Sequence, residues 1–355
     1  MSTLLLPVAG RSSRFPGMRP KWLLTMPSGR LMLEESCKGL ELNLYHRIVV
    51  VCLREHLEKY VDEARLVGTL RANLREDIEI CALEAPTSSH AETVYEGIVR
   101  SKITGAVYLK DCDNFFIDAV HSSNTITTVN LNDVGLIDAK NKSYVEVSDI
   151  GAVTNIVEKK VISNQFCCGG YAFASAQTFC RAFEEIRDKH DDGEIYVSHV
   201  VYRLMLQGEV FSTSTATGYI DWGTMQEYRE YCGKRLTVFC DVDGVLLENG
   251  SKFGKEGWAS QAIRDNVEVL SDLQRRGLLY VVVTTSRPVS ERLYVEGKLG
   301  ELGLTVDQFV GGLPHTKRVL INDFSATNPY PSAVAINLDR NSTDLGAYLA
   351  YLSTE

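Results

Sequence analysis

The sequence predicts an α/β protein of two domains, residues 1–232 and 233–355, the first on a Rossmann-like mixed sheet and the second on a smaller Rossmannoid parallel sheet. Three observations carry this. At 355 residues the chain exceeds the roughly 250 at which single cores stop growing. Short apolar runs at residues 3–8, 47–52, 78–83 and 106–109, then 236–240, 279–284 and 319–321, alternate with helix-period stretches, as buried strands of α/β layers do. Between residues 227 and 235 the chain turns charged and closes with Cys-Gly-Lys-Arg, after which a fresh apolar strand opens at Leu236.

Composition narrows the class. With 45% apolar and 23% charged residues, each domain can bury an ordinary core, and no apolar run reaches the roughly 20 residues of a membrane helix. Residues 1–9 lack the basic flank of a signal peptide and read as a buried first strand, so a cytoplasmic location without membrane insertion is expected. Nine cysteines without a CxxC pair read as reduced structural thiols. A net charge of -9 argues against nucleic-acid binding and for small anions accompanied by a divalent cation. Homo-oligomerisation is left open.

The first strand runs into Gly10-Arg-Ser-Ser-Arg14, then Pro20-Lys21. Small residues such as Gly10, Ser12 and Ser13 let backbone N–H groups approach a triphosphate. Arg14 adds bidentate charge-assisted bonds, and Lys21 a point charge. This stretch resembles the sugar-phosphate nucleotidyltransferases, with the GT-A-like sheet that this family implies. Further segments fit the resemblance in order. Val107-Tyr-Leu-Lys-Asp-Cys-Asp113 is similar to the family's strand ending in a magnesium-binding aspartate. Glu158-Lys159 followed by Cys168-Gly-Gly-Tyr, with Gly170, is similar to the segment that holds the acceptor phosphate and sugar, and Glu194 falls in the acceptor region. Tyr219-Ile-Asp221-Trp-Gly-Thr is similar to the setting of the second metal aspartate. The resemblance thus implies Mg²⁺ on Asp113 and Asp221. The loop departs from the family in carrying Ser12 and Ser13 where glycine is usual, and residues 86–93 resemble a base-reading loop without identifying the base.

In the second domain, Val238-Phe-Cys-Asp241-Val-Asp243-Gly places two carboxylates at the end of a buried strand. The first can attack phosphorus; the second, two residues on, can protonate the leaving oxygen and then activate water. This D-x-D-G pattern resembles the haloacid dehalogenase superfamily, and the remaining motifs follow in order. The resemblance implies Thr285 as the hydroxyl that orients phosphoryl oxygens, Lys317 as the cation of the third motif, and Asp323 as the metal ligand of the fourth, with Asp241 and Asp243 completing the Mg²⁺ site. The short segment between the first two motifs leaves room for only a minimal cap.

Together the motifs point to a bifunctional enzyme of activated-sugar biosynthesis. One domain would transfer a nucleotidyl group from an NTP to a sugar phosphate, releasing pyrophosphate, and the other would hydrolyse a phosphate monoester through an aspartyl phosphate. Two other readings stay open: a cytidylyltransferase for a phosphorylated polyol, amino alcohol or phosphonate, and a phosphatase carrying a non-catalytic nucleotide-binding domain. The base, the acceptor and the order of the reactions are not legible.

Overall fold

The computed structural model describes residues 2–134, 139–189, 193–255, 257–322 and 333–352. The chain divides into two compact units, residues 1–228 and 229–355. Among the described residues no helix is long and apolar enough to cross a membrane. Cys37, Cys52, Cys112, Cys167, Cys168 and Cys240 are buried thiols, none of them in a disulfide.

The first unit is built on strands β1 (Ser2–Pro7), β2 (Arg47–Leu53), β3 (Glu79–Leu83), β4 (Ala106–Lys110), β5 (Asn114–Ile117) and β6 (Thr125–Asn130). They are followed by β7 (Ser143–Val147), β8 (Val153–Glu158), β9 (Gln165–Phe173), β10 (Ser212–Thr215) and β11 (Thr217–Asp221). The main sheet runs β10-β6-β9-β4-β1-β2-β3, with the hairpin β7–β8 attached to β9. Strands β4, β1, β2 and β3 are parallel, whereas β9 pairs antiparallel with both β4 and β6, which makes the sheet mixed. Strands β5 and β11 form a separate antiparallel pair.

Both faces of the main sheet are covered, so its central strands carry continuous apolar runs, such as residues 4–6 and 48–53, rather than alternating ones. Leu5, Val49, Val51, Val107 and Leu109 face one core, formed with helices α4 (His90–Arg100), α5 (Ala176–Arg187) and α6 (Val197–Leu206). Leu4, Leu6, Ile48, Val50 and Tyr108 face the other, formed with α1 (Met32–Cys37), α2 (Arg54–Tyr60) and α3 (Glu63–Asn73). Ser89 caps α4 by accepting the Glu92 N–H at 3.1 Å, which fixes where this helix starts beside the sheet.

A buried carboxylate ties the polar strands together. Asp118, just beyond β5, accepts from Tyr108 (2.8 Å), Thr127 (2.6 Å), Ser214 (2.7 Å), His121 (3.0 Å) and its neighbour's amide, Ala119 (2.8 Å). Those donors come from β4, β6 and β10 as well as the loop. One carboxylate therefore sets the positions of three strands around the start of the site-bearing segment.

The second unit holds strands β12 (Leu236–Asp241), β13 (Leu279–Thr284) and β14 (Gln308–Val310), parallel and in that spatial order. Helix α7 (Met225–Gly233) spans the division between the units, and α8 (Arg264–Arg275), α9 (Arg292–Gly300) and α10 (Leu345–Leu352) follow. Val267, Leu270, Val281, Val283, Val295, Leu299 and Leu345 make its core. The apolar run at residues 319–321 departs from expectation: it is not a buried strand but irregular, with Val319 and Ile321 73% and 87% exposed. Three apolar residues make a strand only with a ladder partner, and among the described residues none pairs with them.

The hydrogen bonds to Asp118 lower its pKa to about 2 from the ordinary 3.8, against burial, which acts upward. The depressed folded value means that this stabilisation, roughly 2 kcal/mol, is fully present above about pH 4 and is lost as pH falls through 2. Asp118→Asn is expected to lower stability at neutral pH by about 2–3 kcal/mol and to flatten the acid limb of the stability curve, measured by urea denaturation from pH 7 to pH 2.

Candidate active site

The end of β1, the β4–β5 turn, the β7–β8 hairpin and the end of β11 surround one cleft of about 740 Å³ in the first unit. Gly10, Ser12, Ser13, Arg14, Lys21, Asp113, Glu158, Lys159, Glu194 and Asp221, all predicted, line it. Gly170 does not. A Cβ there would lie 2.5 Å from both Thr127 Oγ1 and Tyr108 OH, so this glycine serves strand packing, and its neighbour Gly169 reaches the cleft wall.

The loop is ordered by its own backbone. Ser12 takes a left-handed conformation (φ 49°), which glycine adopts without strain, and its hydroxyl accepts the Lys21 N–H at 3.0 Å. That bond offsets part of the cost of serine in this position and ties the loop to the turn carrying Lys21. Gly10 has no atom within 4 Å of where a Cβ would stand, so a ligand can approach the backbone there.

Asp113 sits in a turn held from behind by a buried lysine. Lys110 Nζ donates to the carbonyls of Asp111 (2.7 Å) and Asn114 (2.9 Å) and to Asn114 Oδ1 (2.5 Å), and lies 4.3 Å from the centre of the Phe116 ring. Burial pushes the Lys110 pKa down. In front, Asp113 Oδ2 meets Lys21 Nζ at 2.5 Å and Arg14 at 3.7 Å. Burial alone would raise the Asp113 pKa, but the two cations outweigh it and hold the carboxyl well below its usual range.

Asp221 arrives from the opposite strand. β11 pairs with β5 so that Asp221 stands across from Asn114, and the Trp222 amide donates to the Asp113 carbonyl at 2.8 Å. Both carboxylates converge on Gly223: a Cβ there would lie 3.0 Å from Asp221 Oδ1 and 3.4 Å from Asp113 Oδ2. Two hard oxygen donors converging in this way fit a divalent cation bound jointly with phosphates, and among the described residues no group of three or more His, Cys, Asp or Glu side chains forms a self-sufficient metal site.

Several cleft residues were not legible in advance. Lys142, at the start of the β7–β8 hairpin, pairs with Asp221 and donates to Tyr219 OH at 2.9 Å. His90 Nε2 lies 3.2 Å from Asp111 Oδ1. Lys159, itself left-handed (φ 55°), donates to Tyr196 OH, which donates to Glu194 Oε2 at 2.7 Å. Glu158 accepts from Ser143 and from Ser198 (2.6 Å), so it braces the hairpin against α6. Lys142, His90 and Tyr196 are single residues from separate elements, and no sequence spacing announces them.

In the second unit the parallel strands bring Asp241, Asp243 and Thr285 together at the ends of β12 and β13. Burial raises the Asp241 pKa, and Arg318 at 3.5 Å opposes the rise. Two arginines meet these carboxylates. Lys317 is exposed, and the cation that reaches Asp241 is Arg318. Both carboxylate oxygens of Asp243 accept from the fully buried Arg287, whose Nη2 lies 2.7 Å from Oδ1 and Nε 3.1 Å from each oxygen. Arg287 also donates to Trp258 O (2.6 Å) and Ser260 Oγ (2.8 Å). Thr285, fully buried, has its hydroxyl 3.4 Å from Asp243 Oδ2 and accepts the Arg287 amide. Asp323 lies outside the described residues.

Two outcomes test these geometries. Burial pushes the His90 pKa down but Asp111 outweighs it and raises the pKa overall. Asp111→Asn should therefore shift the His90 titration midpoint to lower pH in an NMR titration of the ring protons. Arg287→Met, which strands the Asp243 carboxylate without its partner, should destabilise the second unit by roughly 3–5 kcal/mol in urea denaturation.

No protein-family description matches the chain, and no curated protein does. Solved structures do. The chain is similar to the nucleoside-diphosphate-sugar pyrophosphorylase of Vibrio cholerae RC9, at 21% identity and a TM-score of 0.54, over 64% of this chain and 99% of that one. It is similar to the inositol-1-phosphate CTP transferase of T. maritima, at 14% identity and a TM-score of 0.50, over 64% and 90%. A third is the CTP:phosphocholine cytidylyltransferase of Streptococcus pneumoniae, at 13% identity and a TM-score of 0.50, over 64% and 96%. The N-terminal unit shares its fold with these nucleotidyltransferases.

Proposed function

We propose that the first unit transfers a nucleotidyl group from an NTP to the phosphate of a small phosphorylated acceptor, a sugar or polyol phosphate, releasing pyrophosphate. The observation that carries this reading is the convergence of Asp113 and Asp221 on Gly223, with Arg14 and Lys21 on one side and Lys142 and Lys159 among the residues lining the cleft. In such a reaction an oxygen of the acceptor phosphate bonds to the α-phosphorus while the bond from that phosphorus to the bridging oxygen of the β-phosphate breaks. Arg14 and Lys21 offset charge on the departing pyrophosphate. The backbone around Gly10 lies open to the phosphates, and Glu194, Tyr196 and Lys159 line the acceptor end. A bound Mg²⁺, held by Asp113 and Asp221, supplies charge neutralisation across the phosphates.

The second unit is read as a phosphate monoesterase acting through Asp241 as nucleophile. Asp241 stands at the end of a parallel strand with a guanidinium 3.5 Å away, suited to a phosphoryl group. Asp243 exchanges a proton with the leaving oxygen only after its bond with Arg287 opens. Cytoplasmic synthesis of a nucleotide-activated building block accommodates both activities. A cytidylyltransferase reading stands beside it, since the similar structures include proteins named for CTP reactions as well as one named for nucleoside-diphosphate sugars.

The test is incubation with each of four NTPs and mixed sugar, polyol and amino-alcohol phosphates, followed by mass analysis of the nucleotide product and assay of pyrophosphate. Asp113→Ala and Asp221→Ala should each lower the rate of pyrophosphate release by roughly 10²–10³-fold. Asp241→Asn should abolish release of inorganic phosphate and leave pyrophosphate release intact. Nucleotide binding without turnover by any NTP and acceptor pair would sink the transferase reading.

A further inference from the structure

Each of the two carboxylates placed to hold a cation is already paired with a lysine. Lys21 stands on Asp113, and Lys142 stands on Asp221, with side chains 23% and 18% exposed against 12% and 9% for their partners. Lys142 does not reach this position by accident of a long surface chain. Its backbone carbonyl accepts the Lys159 N–H at 3.0 Å across the β7–β8 hairpin, and its ammonium donates to the hydroxyl of Tyr219, two residues before Asp221 on β11. The same ammonium lies 5.6 Å from the centre of the Tyr219 ring. Lys159, the neighbouring lysine across the hairpin, instead donates to the Tyr196 hydroxyl, which donates to Glu194.

Two positive charges cannot share Asp221 cheaply. A divalent cation entering at the pair must displace Lys142 or tolerate repulsion from it at close range, and a displaced ammonium at the cleft wall needs a new anion. The phosphates that accompany the cation supply one. We propose that Lys142 is the resident counter-ion of Asp221 and a phosphate-binding residue. It occupies the carboxylate while the cleft is empty and transfers to a phosphate oxygen when a polyphosphate and its divalent cation bind together. The arrangement keeps the acidic pair neutral in the empty protein and makes cation binding depend on the polyphosphate. It rests on the transferase reading for its biological meaning, but not for its test.

The experiment uses the full chain and two probes that need no turnover. Mn²⁺ alone is titrated and its free fraction followed by electron paramagnetic resonance. Inorganic tripolyphosphate is titrated in the presence of Mg²⁺ by calorimetry. Lys142→Met is expected to tighten Mn²⁺ binding by about tenfold, because a competing charge has gone, and to weaken tripolyphosphate binding by about the same factor, because a phosphate partner has gone. Lys142→Arg should leave Mn²⁺ binding as weak as in the wild type. A residue that only holds the fold would weaken both, so the opposite signs distinguish the two roles. Should the Met variant fail to fold by circular dichroism, Lys142→Gln, which keeps a hydrogen bond to Tyr219, gives the same readings. Unchanged or weakened Mn²⁺ binding, or unchanged tripolyphosphate binding, in the folded variant overturns the proposal. Absence of turnover with every NTP, alongside the opposite shifts, overturns the transferase reading and leaves the counter-ion role standing.

Discussion

The cleft depends on the pairing of two short strands far apart in the chain. β5 and β11 are antiparallel, with Asp221 across from Asn114 and the Trp222 amide on the Asp113 carbonyl. Because side chains alternate faces along a strand, a slip of one residue would turn Asp221 away from Asp113. The register is therefore pinned at both ends of β5. Lys110 clamps the turn before it through three oxygens, and Asp118 anchors the residues after it to β4, β6 and β10. The absence of a side chain at Gly223 leaves the space in which the two carboxylates meet.

That placement creates an electrostatic problem which the rest of the site answers. Two largely buried carboxylates close together in a chain of net charge -9 repel one another and lose hydration. Lysines and Arg14 neutralise them pairwise, which is why Asp113 remains ionised despite burial. The same cations are the groups a polyphosphate requires. If a polyphosphate binds as proposed, stability of the empty cleft and affinity for the ligand draw on one set of side chains, and binding would be an exchange of anionic partners rather than the filling of a preformed cationic hole.

How far this was legible in the sequence follows from where each signal resides. Gly10, Arg14, Lys21, Asp113 and Asp221 lie in local patterns, a strand end followed by small or acidic residues, and the structure gathers them in one cleft. The central strands were legible because both faces are buried and their apolar runs are continuous. Strands β6, β10 and β11 were not, because Thr- and Ser-rich segments such as Ser212–Thr215 carry no apolar period and owe their state to partners elsewhere. Lys142, His90 and Tyr196 were missed for a related reason: their roles arise from which elements the fold juxtaposes. Residues 319–321 erred the other way, an apolar run with no partner strand among the described residues.

Arg287 shows the same logic in the second unit. A guanidinium with no exposure to solvent must place its donors internally, and it does so on Asp243, Trp258 and Ser260. The first is the residue read as the acid and base; the others belong to the segment between the two leading motifs. Releasing Asp243 to exchange a proton leaves a buried cation lacking its anion, which is costly unless the segment around Trp258 rearranges or a phosphoryl group takes the carboxylate's place. In a monoesterase built this way, the anionic substrate itself is the natural replacement. On the proposed monoesterase reading, proton exchange at Asp243 would be tied to occupancy of the site.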